Sequence, residues 1–92
     1  MKYVECIWKH VFLDEPIAIY SELDDARWEQ RKVEKFRNGR FGYANQGIAK
    51  EGTRLGLVPW PENGDIASDS QFEVREITKQ EFEILWKSAL AT

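Results

Sequence analysis

Three features of the sequence predict an α+β fold: an antiparallel β-sheet of four to five strands with a C-terminal amphipathic helix packed on one face. Asn38-Gly39 separates two runs rich in aromatic and β-branched residues, a strong short-range hairpin signal. Alternating, strand-like segments come first along the chain. At its end, Thr78 with Glu81 three residues on forms a capping box, and Phe82, Leu85, Trp86, Ala89 and Leu90 recur at helical spacing. Strands first and a helix last place that apolar stripe on one face of the sheet.

The first strand runs from Tyr3 to Phe12, with Val4, Cys6 and Trp8 on one face and Glu5, Ile7 and Lys9 on the other. Asp14-Glu15-Pro16 forms a turn, and a second strand, Ile17 to Glu22, completes the first hairpin. Ser21 to Asp25 is acidic and forms a short loop or one helical turn. A third strand, Trp28 to Arg37, fails to alternate: Trp28 and Phe36 share one parity and Val33 has the other. A β-bulge near Arg31-Lys32 brings all three to the buried face, while a helix starting at Asp24 is the competing reading. The fourth strand is Arg40 to Ala44. A two-residue turn at Asn38-Gly39 sets Phe36 opposite Phe41 and Arg37 opposite Arg40, two like charges that must splay apart.

Asn45 to Thr53 is glycine-rich and polar, a mobile loop. Arg54 to Val58 is the candidate fifth strand, stopped by Pro59-Trp60-Pro61. Pro61 suits the first turn of a short helix through Ala67, and Phe72 to Ile77 is extended. Ile77 before the Thr78 cap and Phe82 at the fourth helical position make a hydrophobic staple.

Ninety-two residues predict a single domain, 1–92, able to bury one modest core. One cysteine, Cys6, excludes an intrachain disulfide and argues against a cysteine-based metal site. MKYVECIWKH lacks an apolar signal core, and no run approaches the roughly 20 apolar residues of a membrane span, so a soluble cytoplasmic protein is expected with no membrane partner. Charge is distributed unevenly. Arg27, Arg31, Lys32, Lys35, Arg37 and Arg40 oppose only Glu29 and Glu34 between positions 27 and 40, a local +4, leaving −7 on the remainder of a chain of net −3.

Few residues invite catalysis. His10 with Asp14 and Glu15 is the one acid–base or metal-like cluster; it lacks a second histidine or an aimed nucleophile, so a strand-end histidine bonded to the turn is expected. The glycines make no phosphate loop, the acids no calcium loop, and Cys6 has the parity of a buried residue. No catalytic, cofactor or metal site is predicted, and the protein is expected not to be an enzyme. Two surfaces remain. Cations beside Trp28, Phe36, Phe41 and Tyr43 are a nucleic-acid candidate, although strand alternation turns those rings toward the core. The acidic loops complement a basic protein, with Trp60 between two prolines as an aromatic anchor.

Trp8-Lys9-His10, Asp14-Glu15-Pro16, YSELDD at Tyr20 to Asp25, RWEQRKVEKFRNGR at Arg27 to Arg40, GYA at Gly42 to Ala44 and TRLG at Thr53 to Gly56 resemble a family of short, uncharacterised bacterial domains of unknown function. The likeness continues through the final ITKQEFEILW. It departs at Glu51-Gly52, where the family pattern has Gly-Gly. Small acidic domains of this kind are similar to immunity proteins of contact-dependent inhibition and other polymorphic toxin systems. That resemblance implies a non-enzymatic immunity protein that binds and neutralises a cognate toxin domain, a nuclease in the expected case. The contact residues would be the acids Asp14, Glu15, Glu22, Asp24 and Asp25, which would mimic nucleic-acid charge, or the patch around Arg31, Lys35, Arg37 and Arg40, with Trp60 as anchor. The alternative is a nucleic-acid or small-ligand binding module using the hairpin Arg27–Arg40.

Overall fold

Strand alternation at the N-terminus produces β1 (Lys2–Trp8), which pairs with β2 (Pro16–Leu23) through Tyr3↔Glu22, Glu5↔Tyr20 and Ile7↔Ala18. The computed structural model describes residues 1–50 and 52–91; Glu51 of the Glu51-Gly52 departure lies outside the described residues. β3 (Glu29–Phe36), β4 (Phe41–Asn45), β5 (Ile48–Lys50), α1 (Asn63–Ala67), β6 (Phe72–Ile77) and α2 (Lys79–Leu90) follow. Among these residues the sheet has six antiparallel strands in the order β5-β4-β3-β2-β1-β6. The fold is therefore α+β as expected, with one more strand than the upper expectation.

Helix α2 covers one face. Thr78 caps it, its hydroxyl accepting from the Glu81 N–H at 3.0 Å while the Glu81 carboxylate accepts from the Thr78 N–H at 3.1 Å. Phe82 and Ala89 are buried against Tyr3, Ala18, Tyr20, Val33 and Ile77, with Leu85 and Trp86 packed at the margin. Complete burial of Phe82 is worth roughly 1.5–3 kcal/mol. Leu90 departs from the predicted stripe and is 47 % exposed. At ~100° per residue it sits about 80° around the helix from Phe82, beyond the edge of the contact.

Two predicted details of β3 and β4 change. The bulge lies at Gln30 rather than at Arg31-Lys32: Glu22 pairs with Arg31 and Leu23 with Glu29, leaving Gln30 without an opposite residue. Trp28 precedes the strand and is 42 % exposed, and Val33 and Phe36 occupy opposite faces. The connection to β4 is a three-residue loop. The Gly39 N–H donates to the Phe36 carbonyl at 2.9 Å and the Phe36 N–H to the Arg40 carbonyl at 2.9 Å, with Gly39 left-handed at φ 86°. A type I turn followed by a left-handed glycine adds one residue to the expected loop. Phe41 therefore pairs with Lys35 and Phe36 lies opposite Arg40.

The second sheet face carries Val4, Cys6, Ser21, Leu23, Glu29, Lys32 and Phe36, and residues 53–66 run across it. Thr53 donates its hydroxyl to Glu34 at 2.7 Å. Glu29, fully buried at its carboxylate, accepts from the Ser21 hydroxyl at 2.7 Å, from the Gly56 N–H and from Lys32 at 2.9 Å. These bonds hold 54–58 as irregular chain, so the predicted fifth strand at Arg54 to Val58 does not form. β5 arises instead from Ile48–Lys50, inside the segment expected to be a mobile loop.

Gly42 sits where 53 crosses β4. A Cβ there would lie 2.1 Å from the Thr53 hydroxyl and 3.1 Å from the Lys50 carbonyl. Gly42→Ala is expected to destabilise the protein by about 1–3 kcal/mol in urea unfolding; an unchanged midpoint would show that the crossing segment gives way freely.

Candidate functional site

The end of the sheet formed by the β1–β2 and β3–β4 connections carries exposed Val11, Phe12 and Leu13 together with Asp14, Glu15, Arg37 and Arg40. Residues 9–15 are held by His10. Its Nδ1 accepts from the Phe12 N–H at 3.0 Å, which leaves Nε2 to donate to the Pro16 carbonyl at 2.8 Å. The Trp8 ring lies 4.2 Å from His10 and 6.1 Å from Phe72, and the Phe12 ring is 5.4 Å from His10. His10 is thus the turn-holding residue expected of it, with both ring nitrogens engaged.

On this frame Val11, Phe12 and Leu13 are 86 %, 58 % and 80 % exposed. Single exposed apolar residues are ordinary, but three in a row on a fixed loop form a patch that calls for an explanation. Asp14 and Glu15 follow, both exposed. Across the gap, Arg37 donates to the His10 carbonyl at 2.6 Å, tying the β3–β4 loop to this one. The Arg40 guanidinium lies 4.6 Å over the Phe36 ring; because Arg40 is opposite Phe36, the expected facing of Arg37 and Arg40 does not occur. Lys35, near the end of β3, is exposed. Acids Asp14 and Glu15 and cations Lys35, Arg37 and Arg40, expected as alternative surfaces, therefore flank one apolar tip.

The remaining predicted contact residues lie elsewhere. Glu22 and Arg31 are corrections, because both are consumed inside the fold. The Glu22 carboxylate, buried beneath α2, accepts from the Tyr3 hydroxyl at 2.9 Å and from Arg31 Nε and Nη2 at 2.9 and 2.8 Å. Arg31 also pairs with Glu83 on α2 at 2.6 Å and stacks 4.9 and 5.1 Å from the Phe82 and Trp86 rings. Hydrogen bonds from Arg31 hold the Glu22 carboxyl below its usual range against the opposing effect of burial. Bonding to Glu22 raises Arg31 further, and burial, with the Glu22 bond, raises the Tyr3 hydroxyl.

Asp24 caps the following turn, accepting from the Ala26 and Trp28 N–H groups at 3.0 and 2.9 Å. Asp25 is exposed at that same far end of the sheet. Trp60 lies nearby, its N–H donating to the Arg27 carbonyl at 2.8 Å. The Arg27 side chain reaches back to the Trp60 and Pro61 carbonyls at 3.1 and 2.7 Å and to Asn63 at 2.8 Å. Arg27 does this from a left-handed backbone, φ 68°, so it is a clamp rather than a surface cation.

Sequence reasoning placed Phe12 in the first strand and missed the Val11-Phe12-Leu13 tip. The signal was available: three consecutive apolar residues break the alternation just before Asp14. Cys6 is buried and its thiol is pushed up to about 11, so it stays protonated at neutral pH. Among the described residues no three His, Cys, Asp or Glu are grouped to hold a metal ion, and no helix is long and apolar enough to cross a membrane.

A family model described as a domain of unknown function, DUF6881, matches residues 2–91. The chain belongs to that family. No curated protein and no solved structure matches it significantly.

The depressed Glu22 carboxyl has a signed consequence for acid stability. Between the ordinary value of 4.5 and its lower folded value, the unfolded chain binds a proton that the native chain does not. The contribution is complete above the ordinary value and is lost as pH falls through the folded one. Glu22→Gln is expected to cost about 1–3 kcal/mol near neutral pH and to flatten the acid limb. Urea midpoints from about pH 7 to about pH 3 measure both; parallel profiles would show that the pair does not respond to acid.

Proposed function

We propose that this protein is a non-enzymatic immunity protein, which binds and neutralises a cognate toxin domain in the cytoplasm and docks through the sheet end bearing Val11, Phe12 and Leu13. The carrying observation is that apolar tip, 86 %, 58 % and 80 % exposed on a loop fixed by both nitrogens of His10. A rigid apolar anchor loses little freedom on binding, and anchors that enter a partner pocket dominate binding energy. Asp14 and Glu15 beside the tip give it acid to set against the basic cleft of a nuclease. Arg37 and Arg40 on the opposite rim give a partner's acids something to register on. Rim charges of both signs govern encounter rate and partner choice more than raw affinity. The immunity assignment itself rests on the sequence resemblance, to which the tip adds a contact surface.

The alternative of nucleic-acid binding by the hairpin Arg27–Arg40 loses support. Arg27, Arg31 and Lys32 spend their charge on Trp60–Asn63, on Glu22 with Glu83, and on Glu29. Tyr43 and Phe41 pack against the α2 side of the sheet rather than presenting free stacking faces.

Co-expression with the C-terminal domain of a large secreted protein encoded directly upstream, the neighbour the proposal requires, tests it. The protein is expected to co-purify with that domain and to restore growth. Phe12→Ser combined with Leu13→Ser should weaken the complex at least about thirtyfold without moving the melting temperature. A wild-type protein that neither co-purifies nor rescues overturns the immunity reading, and an unimpaired double variant overturns the docking surface.

A further inference from the structure

Strand β6 is one edge of the sheet, and its register against β1 decides which of its backbone groups are already paired. The Lys9 N–H donates to the Gln71 carbonyl at 2.7 Å, which makes Lys9 and Gln71 a hydrogen-bonded pair. Such pairs recur at every second residue, so Glu73, Arg75 and Ile77 turn their backbone groups toward β1, opposite Ile7, Glu5 and Tyr3. Phe72, Val74 and Glu76 turn theirs outward. The Phe72 N–H finds an acceptor there, the Asp69 carbonyl at 3.0 Å. Beyond Val74 and Glu76 no further strand lies among the described residues, and their outward N–H and C=O groups form a template for one.

Charge normally guards such an edge against other strands. On β6 the charges follow a definite order. Glu73 and Arg75 project on the face where Ile77 and Tyr3 meet α2, and both are exposed. Within the chain Glu73 pairs with Lys9 at 2.9 Å, and Arg75 with Glu5 at 2.7 Å and more distantly with Glu81 at 3.7 Å. A second copy of β6 laid antiparallel along this edge must set outward residues opposite outward residues, which restricts it to registers differing by steps of two. With Val74 opposite Val74, Glu73 of each copy faces Arg75 of the other at non-hydrogen-bonded positions, where side chains approach most closely. One step in one direction sets Glu73 against Glu73, and one step in the other sets Arg75 against Arg75. Like charges directly opposite are destabilising. The Val74-centred register therefore satisfies both charges, and its neighbours on either side do not.

We propose that the partner of this edge is a second copy of the chain, joined through β6 with Val74 at the two-fold axis into one continuous sheet that carries both α2 helices on the same side. Val74 exchanges both of its outward bonds with Val74 of the second copy, and each Glu76 N–H reaches the Phe72 carbonyl opposite. A row of alternating charge crosses the joint, from Lys9 and Glu73 to Arg75 and Glu5 of the second copy. An edge carrying acid and base in this order favours its own copy over a strand of uniform charge. Antiparallel pairing sends the two Val11–Leu13 tips to opposite ends of the joined sheet, so the inference does not depend on the docking proposal.

Sedimentation equilibrium tests the pairing. The wild-type chain is expected to show a monomer–dimer equilibrium with a dissociation constant of about 10⁻⁵–10⁻⁴ M, weak because the paired edge is short. Glu73→Arg leaves only bases facing one another across the joint and Arg75→Glu only acids, so each variant alone should associate at least about tenfold more weakly. Mixed together, the two variants should form a one-to-one heterodimer, because every facing pair is then opposite in charge. In the wild type, amide exchange at Val74 and Glu76 should slow as concentration rises, while exchange at Glu73 and Arg75, whose N–H groups face β1, should not. A wild-type chain still monomeric at about 1 mM overturns the proposal. So do single variants that dimerise as the wild type does, monomeric variants that stay apart when mixed, or exchange at Val74 and Glu76 that ignores concentration; the first and last of these need no variant.

Discussion

A single unpaired residue, Gln30, sorts the charges of β3 between the two faces of the sheet. Without it Glu29, Arg31 and Val33 would share one face. With it Arg31 faces α2 and Glu29 turns to the opposite side together with Lys32. Each charge then meets a partner it could not otherwise reach. Arg31 bridges β2 and α2 through Glu22 and Glu83 while stacking on Phe82 and Trp86. Glu29 anchors the crossing segment through the Gly56 N–H. The bulge thus lets one strand hold the helix on one side and an irregular segment on the other.

This arrangement also explains why charge counting along the chain misleads. The local excess of +4 between positions 27 and 40 resembles a basic surface, yet Arg27, Arg31 and Lys32 are tied to internal acceptors. Buried or half-buried ion pairs contribute little net stability over apolar replacements, but losing one partner leaves an uncompensated charge. Their use here is geometric: Arg27 fixes the path of 60–63, and Arg31 fixes the seat of α2.

The fold was legible where local chemistry decides it. The Thr78–Glu81 capping box, the Ile77–Phe82 staple and the alternation of β1 all depend on neighbours a few residues apart, and the structure contains each of them. It was less legible where long-range pairing decides. Asn38-Gly39 marks the turn but does not distinguish a two-residue loop from a three-residue loop, and the extra residue sends Phe36 and Phe41 to opposite faces. The bulge was anticipated from the parity conflict of Trp28 and Val33, and misplaced because Trp28 was assumed to be buried. β5 carried no signal beyond Ile48 and Ala49; its pairing with β4 supplies the order. The acids and bases of the candidate docking end were identified singly, but the Arg37–His10 bond that unites them spans residues far apart in sequence.

The geometry also constrains where a partner can approach. One face is closed by α2, and the other is crossed by residues 53–66. Of the two sheet edges, β5 is only three residues long, and β6 carries Glu73, Arg75 and Glu76 among its apolar residues. Short and charged edges resist strand addition by an unrelated chain. The ends of the sheet are left, and they differ. At the Asp24 end, Asp24 caps its own turn and the Trp60 backbone is bonded to Arg27, which leaves Asp25 and Trp28 exposed there. At the other end, His10, Trp8 and Phe72 spend their bonds and ring contacts on fixing the loop and leave Val11 and Leu13 exposed to water. A loop that exposes apolar side chains while its histidine is internally satisfied forgoes the burial that would stabilise it, and contact with a partner would supply that burial.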